Sequence, residues 1–119
     1  MKRLLAMAVF LAIATCAWAA EKPSSVIHVI TVKWKDGTTD DQIAKATSAV
    51  EDMAKSYPGI KRVWLKTLKV QGKGYKSAIA MEFESQDSLK KYAGSDAQKK
   101  WYEVYQPIRE ESTTHDITN

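Results

Sequence analysis

Two histidines, His28 and His115, are the side chains of this sequence that ordinarily titrate near neutral pH, and they are far apart in the chain. His28 shares the Val26, Ile30, Val32, Trp34 side of an alternating stretch. A titratable ring on such an apolar face needs a polar partner. It is either a satisfied core histidine or a group offered to a ligand. Tyr92 supplies a phenol that fits the same two roles, core aromatic or ligand contact. Ile30, Val50, Ile79 and Trp101 complete a candidate ligand pocket around His28 and Tyr92. An apolar wall with one or two polar groups suits a small aromatic or aliphatic molecule. Trp34, Trp64, Tyr102 and Tyr105 have the area to line a pocket too, and equally to pack a core or a subunit interface.

Other chemistries find little support. Two histidines without ligand spacing argue against a metal site. Asp40-Asp41 and Glu110-Glu111 read as a helix start and solvated charge. Gly72-x-Gly74 is too short for a phosphate loop and precedes a strand rather than a helix. No cofactor is expected. Lys61, Arg62, Lys66, Lys69, Lys73 and Lys76 around Trp64 have the composition of a nucleic-acid patch, but they fit better as a charged strand edge that resists edge-to-edge pairing.

The amino terminus has its own logic. Lys2 and Arg3 precede the apolar run Leu4 to Cys16, and Ala17-Trp18-Ala19 matches a small-x-small cleavage site. This predicts a secretory signal peptide over residues 1–19, since the run is short for a span of about 20 residues. Ile13-Ala14-Thr15-Cys16 resembles a lipobox, yet Thr15 is large for the position before a lipidated cysteine. Cleavage after Ala19 leaves a domain of about 100 residues, periplasmic or secreted, with no membrane attachment. Lys2 and Arg3 leave with the signal, so the formal net charge of +4 falls by two, to about +2. Cys16 leaves as well, which removes disulfides and thiol chemistry from the mature domain.

The elements that position the candidate residues follow from periodicity. Residues 20–25 form a short polar linker with Pro23, and the domain runs over 26–119. Val26 to Trp34 alternates as a strand that is apolar on both faces at its start, as a central strand is. Thr39 with Gln42 signals a capping box, and Ile43, Ala46, Val50, Met53 and Tyr57 form the buried stripe of the helix it opens. Pro58-Gly59 turns the chain into a second strand, predicted from Ile60 to Val70, and Gln71 to Gly74 form a hairpin loop. Ser77, Ile79, Met81 and Phe83 face one side of a third strand. Ser85 caps a short helix whose Leu89 and Tyr92 point back toward Phe83. Gly94 ends it, and Ser95 with Gln98 opens another in a capping box, with a stripe of Ala97, Trp101, Val104 and Tyr105. A weak final strand is expected around Thr113 to Ile117. The order predicts an α+β fold, a four-stranded antiparallel sheet with helices on one face, as in the ferredoxin-like split β-α-β arrangement. Ile27, Val29, Ala78 and Ala80 leave the other sheet face apolar. They are the candidate interface of a homodimer, because such a face marks a partner surface and the simplest partner is a second copy.

Ile27-His28-Val29 with Lys33-Trp34-Lys35, then Tyr57-Pro58-Gly59-Ile60, then Phe83-Glu84-Ser85 with Leu89 and Tyr92, come in an order and spacing that resembles the stress-responsive A/B barrel domain, the dimeric α/β barrel family. The resemblance spans almost the whole mature chain. It implies a homodimer whose two sheets face each other, a small apolar pocket in each subunit, and a stress-related role. It also brings an enzymatic alternative, a cofactor-independent cyclase or monooxygenase using His28 and Tyr92. In the family's plant polyketide cyclase the acid-base tyrosine matches Tyr92, and His28 matches the pocket-lining histidine of the first strand. The usual histidine-proline-x-histidine run falls on Ser95-Asp96-Ala97-Gln98, so Gln98 stands where the catalytic histidine would be. An amide does not exchange protons near pH 7 as imidazole does. The expected function is therefore an exported homodimer that binds a small apolar or aromatic ligand. A purely structural oligomer, with a filled interior, is the third reading.

Overall fold

The computed structural model describes residues 20–119, and the predicted signal peptide, with Cys16, lies outside the described residues. Four strands form one antiparallel sheet in the order β2-β3-β1-β4, with β1 Val26–Trp34, β2 Ile60–Trp64, β3 Ser77–Phe83 and β4 Arg109–Ile117. Helices α1 (Asp40–Ser56), α2 (Gln86–Tyr92) and α3 (Asp96–Tyr105) complete it. This is the expected ferredoxin-like α+β architecture, with β1 and β3 in the middle.

Register explains the two faces. β1 pairs β3 with His28 opposite Met81 and Val29 opposite Ala80, and pairs β4 with His28 opposite Asp116 and Ile27 opposite Ile117. Directly opposed residues share a face. Val26, Ile30, Val32, Trp34, Ile79, Met81 and Phe83 thus face the helices and are buried. They pack with Ala46, Val50 and Met53 of α1 and with Tyr92, Trp101 and Tyr105. Trp101 stacks on Tyr105 at 4.3 Å, and its indole N–H donates to the Ala46 carbonyl at 2.9 Å, joining α3 to α1. The opposite face carries Ile27, Val29, Ala78 and Ala80, all only partly covered by the chain itself.

The capping box of α1 forms as expected: the Gln42 amide N–H donates to Thr39 Oγ1 at 3.2 Å and the Thr39 N–H to Gln42 Oε1 at 2.9 Å. At α3 only half of it forms. Ser95 Oγ accepts from the Gln98 N–H, but the Gln98 carboxamide reaches one residue further, to the Gly94 N–H at 2.7 Å. Gly94 sits at φ 76°, the left-handed turn that lets α3 start at once after α2. Gly59 is needed for a different reason. A Cβ there would lie 2.7 Å from the Tyr57 ring, which holds the α1–β2 corner against Ser88.

Three expectations need correction. β2 stops at Trp64 rather than Val70, because the Thr67 hydroxyl, not its backbone, takes the Ala78 N–H and carbonyl, at 2.9 and 3.2 Å. β4 is longer than Thr113 to Ile117; it begins at Arg109 and runs nine residues along the whole edge of β1. Val104 leaves the buried stripe of α3 at 40% exposure, and Tyr102 packs on the core instead.

Candidate functional site

The inner sheet face opens at one end, where β1 and β4 run under α2. A cavity of about 510 Å³ lies there, bordered by Val26, His28, Leu89, Tyr92, Gln98 and Asp116, with Gln86, Lys90 and Ile117 at its rim. A depression of similar size beside Lys99 and Tyr102 opens broadly to solvent, and its lining side chains are all partly or fully exposed. Only the first joins a titratable pair to an apolar wall.

His28 projects from the middle strand and meets the edge strand. Its Nδ1 lies 2.5 Å from Asp116 Oδ1. An ionised carboxylate only accepts hydrogen bonds, so Nδ1 carries a proton and donates; in the neutral imidazole Nε2 is then the acceptor. The imidazole stands edge-on to Tyr92, with ring centroids 6.2 Å apart, and to Phe83 at 6.0 Å. The fold brings His28 and Tyr92 together at the edge of the same cavity.

Tyr92 is anchored by its ring and not by its hydroxyl. It packs on Phe83 at 5.0 Å and Tyr57 at 5.9 Å. The Tyr57 hydroxyl donates to the Ser88 carbonyl at 2.7 Å, whereas the buried Tyr92 hydroxyl has no hydrogen-bond partner among the described residues. Burial pushes the Tyr92 phenol well above the usual tyrosine range. Tyr92 is thus a neutral donor at any physiological pH. Gln98 borders the cavity with its carboxamide already engaged, accepting from Gly94 and donating to the Tyr102 hydroxyl at 3.1 Å. It acts as a brace between α2 and α3.

Ile30, Val50, Ile79 and Trp101 are buried in the core, and none of them borders this cavity. The wall comes instead from Val26, Leu89 and Ala93. Asp116 was not legible as a site residue. Its contact with His28 depends on a pairing between positions 88 residues apart, and the alternation of β4, which turns Asp116 inward, is hidden by the polar composition of that strand. Among the described residues no three His, Cys, Asp or Glu side chains converge as a metal site would require.

The opposite face also holds an unforeseen group. Glu82 is 1% exposed although it faces away from the helices. Arg62, across from it on β2, donates through Nε at 2.5 Å and Nη2 at 3.1 Å. The guanidinium holds the Glu82 carboxyl below the usual range, against the opposing pull of burial. Around this pair the face presents Trp64 at 48% exposure and Ile117 at 60%, with Leu68 at 90% exposure beside Ala78 and Ala80.

Known structures share this architecture. A dimeric protein of unknown function with a ferredoxin-like fold from Bacteroides fragilis is 14% identical, covers 83% of this chain and 100% of its own, and has a TM-score of 0.65. A hydroxynitrile lyase from Passiflora edulis is 16% identical, covering 80% and 93%, with a TM-score of 0.71. SnoaB, a cofactor-independent oxygenase from Streptomyces nogalater, is 10% identical, covering 81% and 93%, with a TM-score of 0.64. Likeness at these identities establishes the fold alone. Curated proteins offer no significant match. The stress responsive A/B barrel domain matches residues 26–119, nearly everything after the predicted cleavage point, and the chain therefore belongs to that family.

Proposed function

We propose that this protein is an exported homodimer that holds one small aromatic or apolar ligand per subunit, through a single hydrogen-bonding group, in the cavity of His28 and Tyr92. The observation that carries the binding reading is the state of its polar groups. His28 is tied by Asp116 through Nδ1, which leaves Nε2 for a ligand, and Tyr92 is a neutral buried phenol without a partner among the described residues. Gln98, where the cyclase resemblance would place a histidine, is committed at both ends to structure. The wall of Val26, Leu89 and Ala93 supplies apolar area for a ring or a short chain.

The dimer is supported by the outer face. Trp64, Leu68 and Ile117 are three of the four large apolar side chains that stand exposed among the described residues, and they lie on or beside the Ile27, Val29, Ala78, Ala80 surface. A second copy covers such a face with its own equivalent, as a two-fold interface requires. The Bacteroides fragilis relative is described as dimeric.

A second reading is favoured by one observation. A carboxylate that fixes the histidine tautomer is the arrangement of a general base, so His28 Nε2 has the geometry to take a proton from a bound substrate. The lyase and the oxygenase are examples of catalysts on this fold. Isothermal titration with 4-hydroxybenzaldehyde, beside a native mass-spectrometric screen of phenols and aromatic aldehydes, separates the two. Binding without turnover, weakened about tenfold in His28→Ala, is expected, which corresponds to about 1.4 kcal/mol. Turnover of any of these compounds that collapses in His28→Ala replaces binding by catalysis. A monomer at micromolar concentration by light scattering removes the dimer.

A further inference from the structure

The end of β4 belongs to two places at once. Asp116 points inward and receives the His28 imidazole N–H. Ile117, the next residue, pairs with Ile27 and is 60% exposed. It borders the His28 cavity on one side and the outer cleft of Arg62, Trp64 and Glu82 on the other. Beyond it the chain is tied back by exposed side-chain hydrogen bonds. The Thr118 hydroxyl reaches the Ser24 and Ser25 carbonyls at 3.3 and 3.0 Å, and the Asn119 amide reaches the Pro23 carbonyl at 2.7 Å. Among the described residues β4 is an edge strand with no neighbour on its far side, and none of its residues is buried. Exposed edge strands with few buried apolar contacts are where local opening costs least.

From this we infer that occupancy of the His28 cavity and association of two copies are coupled through Asp116–Ile117, with the partner completing the cavity wall that a single chain leaves open at Ile117. The inference rests on the homodimer reading above. A partner seated on Ile117 holds the last turn of the β1–β4 pairing closed, and backbone continuity then keeps the Asp116 carboxylate against His28. The reverse follows by thermodynamic necessity. Whatever strengthens the His28–Asp116 contact, a ligand included, tightens the dimer by the same factor. The charges facing this junction are His28 and Asp116 within the cavity, Lys90 at its rim, and Arg62 with Glu82 across the sheet.

Two measurements test it on the mature protein. The first is the dimer dissociation constant by analytical ultracentrifugation for wild type, Asp116→Ala and His28→Ala. Both side chains face inward, away from the proposed interface, so an uncoupled dimer is indifferent to them. A rise of about fivefold or more in Kd in both variants is expected, the lower end of ordinary coupling. An unchanged Kd overturns the inference. The second is the His28 Nδ1–H signal in nitrogen-15 spectra. Ala80→Arg separates the copies from β3, away from the cavity. The carboxylate-bonded signal is expected in the wild-type dimer and is expected to fade in that variant. The same sharp signal in dimer and monomer sinks the coupling while leaving the dimer intact. Wild type that is monomeric at every concentration ends both.

Discussion

Two tyrosines 5.9 Å apart should respond to the same change with opposite signs. Tyr92→Phe removes a buried hydroxyl that has no partner among the described residues, and leaves the ring against Phe83, Tyr57 and His28. No hydrogen bond is lost and no void larger than one oxygen atom is created. An unsatisfied buried polar group costs about 1–3 kcal/mol. Relaxation of the neighbours recovers part of that in the native protein, so a stabilisation of about 1 kcal/mol is expected. Tyr57→Phe breaks the 2.7 Å bond to Ser88 and leaves that carbonyl without the phenol, so a loss of about 0.5–1.5 kcal/mol is expected. For a domain of this size, 1 kcal/mol moves Tm by roughly 4–8 °C. Thermal melts of the three proteins at one fixed concentration, with urea titrations for ΔG, read both differences. If Tyr92→Phe melts lower than wild type, the Tyr92 hydroxyl has a native partner and the reasoning fails. If it melts higher and also binds 4-hydroxybenzaldehyde less well, the unpaired phenol is maintained for the ligand at the expense of stability.

Two further outcomes follow from features already described. Glu82 is held below the ordinary carboxylate range when folded, so the stability it confers is complete above that range and drains away as pH falls through its folded value. Arg62→Ala should flatten this acid limb in urea denaturation between pH 7 and pH 2, and an identical limb in both proteins refutes the assignment. Export with cleavage after Ala19 should give a periplasmic or secreted protein whose intact mass begins at Ala20; a cellular form that retains Met1 and no processed form counts against it.

The parts of the fold that sequence made legible are those whose cause is local. Alternation on β1 and β3 is set by which side chains meet the helices, and Thr39 and Gln42 sit within one turn of each other. β4 escaped because its strand character comes from its partner. Arg109 to Ile117 holds little apolar alternation and is extended because β1 offers it a complete ladder. β2 was overestimated because the β-branched and apolar residues beyond Trp64 continue the pattern while a single hydroxyl, Thr67, ends the ladder. The site divides in the same way. His28 and Tyr92 stood out as polar groups on apolar faces. The sequence pattern puts Ile30, Val50, Ile79 and Trp101 in its wall because the same periodicity marks core and pocket lining alike; only packing separates them. Asp116 and Glu82 are each defined by a cross-strand partner, His28 and Arg62, and long-range register has no signature in a single sequence.

The tie between Thr118, Asn119 and the Pro23 to Ser25 carbonyls has a topological consequence. β1 and β4 are antiparallel neighbours, so the start of the first strand and the end of the last lie side by side at the same corner of the sheet. Between Pro23 and Asn119 the described residues trace a nearly closed path. A short Gly-Ser bridge from Asn119 back to Pro23 would turn β4 and β1 into an ordinary hairpin, and the ring could then be reopened at the exposed 71–74 loop without removing any strand from the sheet. A permutant of that kind would begin at β3 and end at β2. It would carry the Asp116–Ile117 segment in the middle of a continuous hairpin.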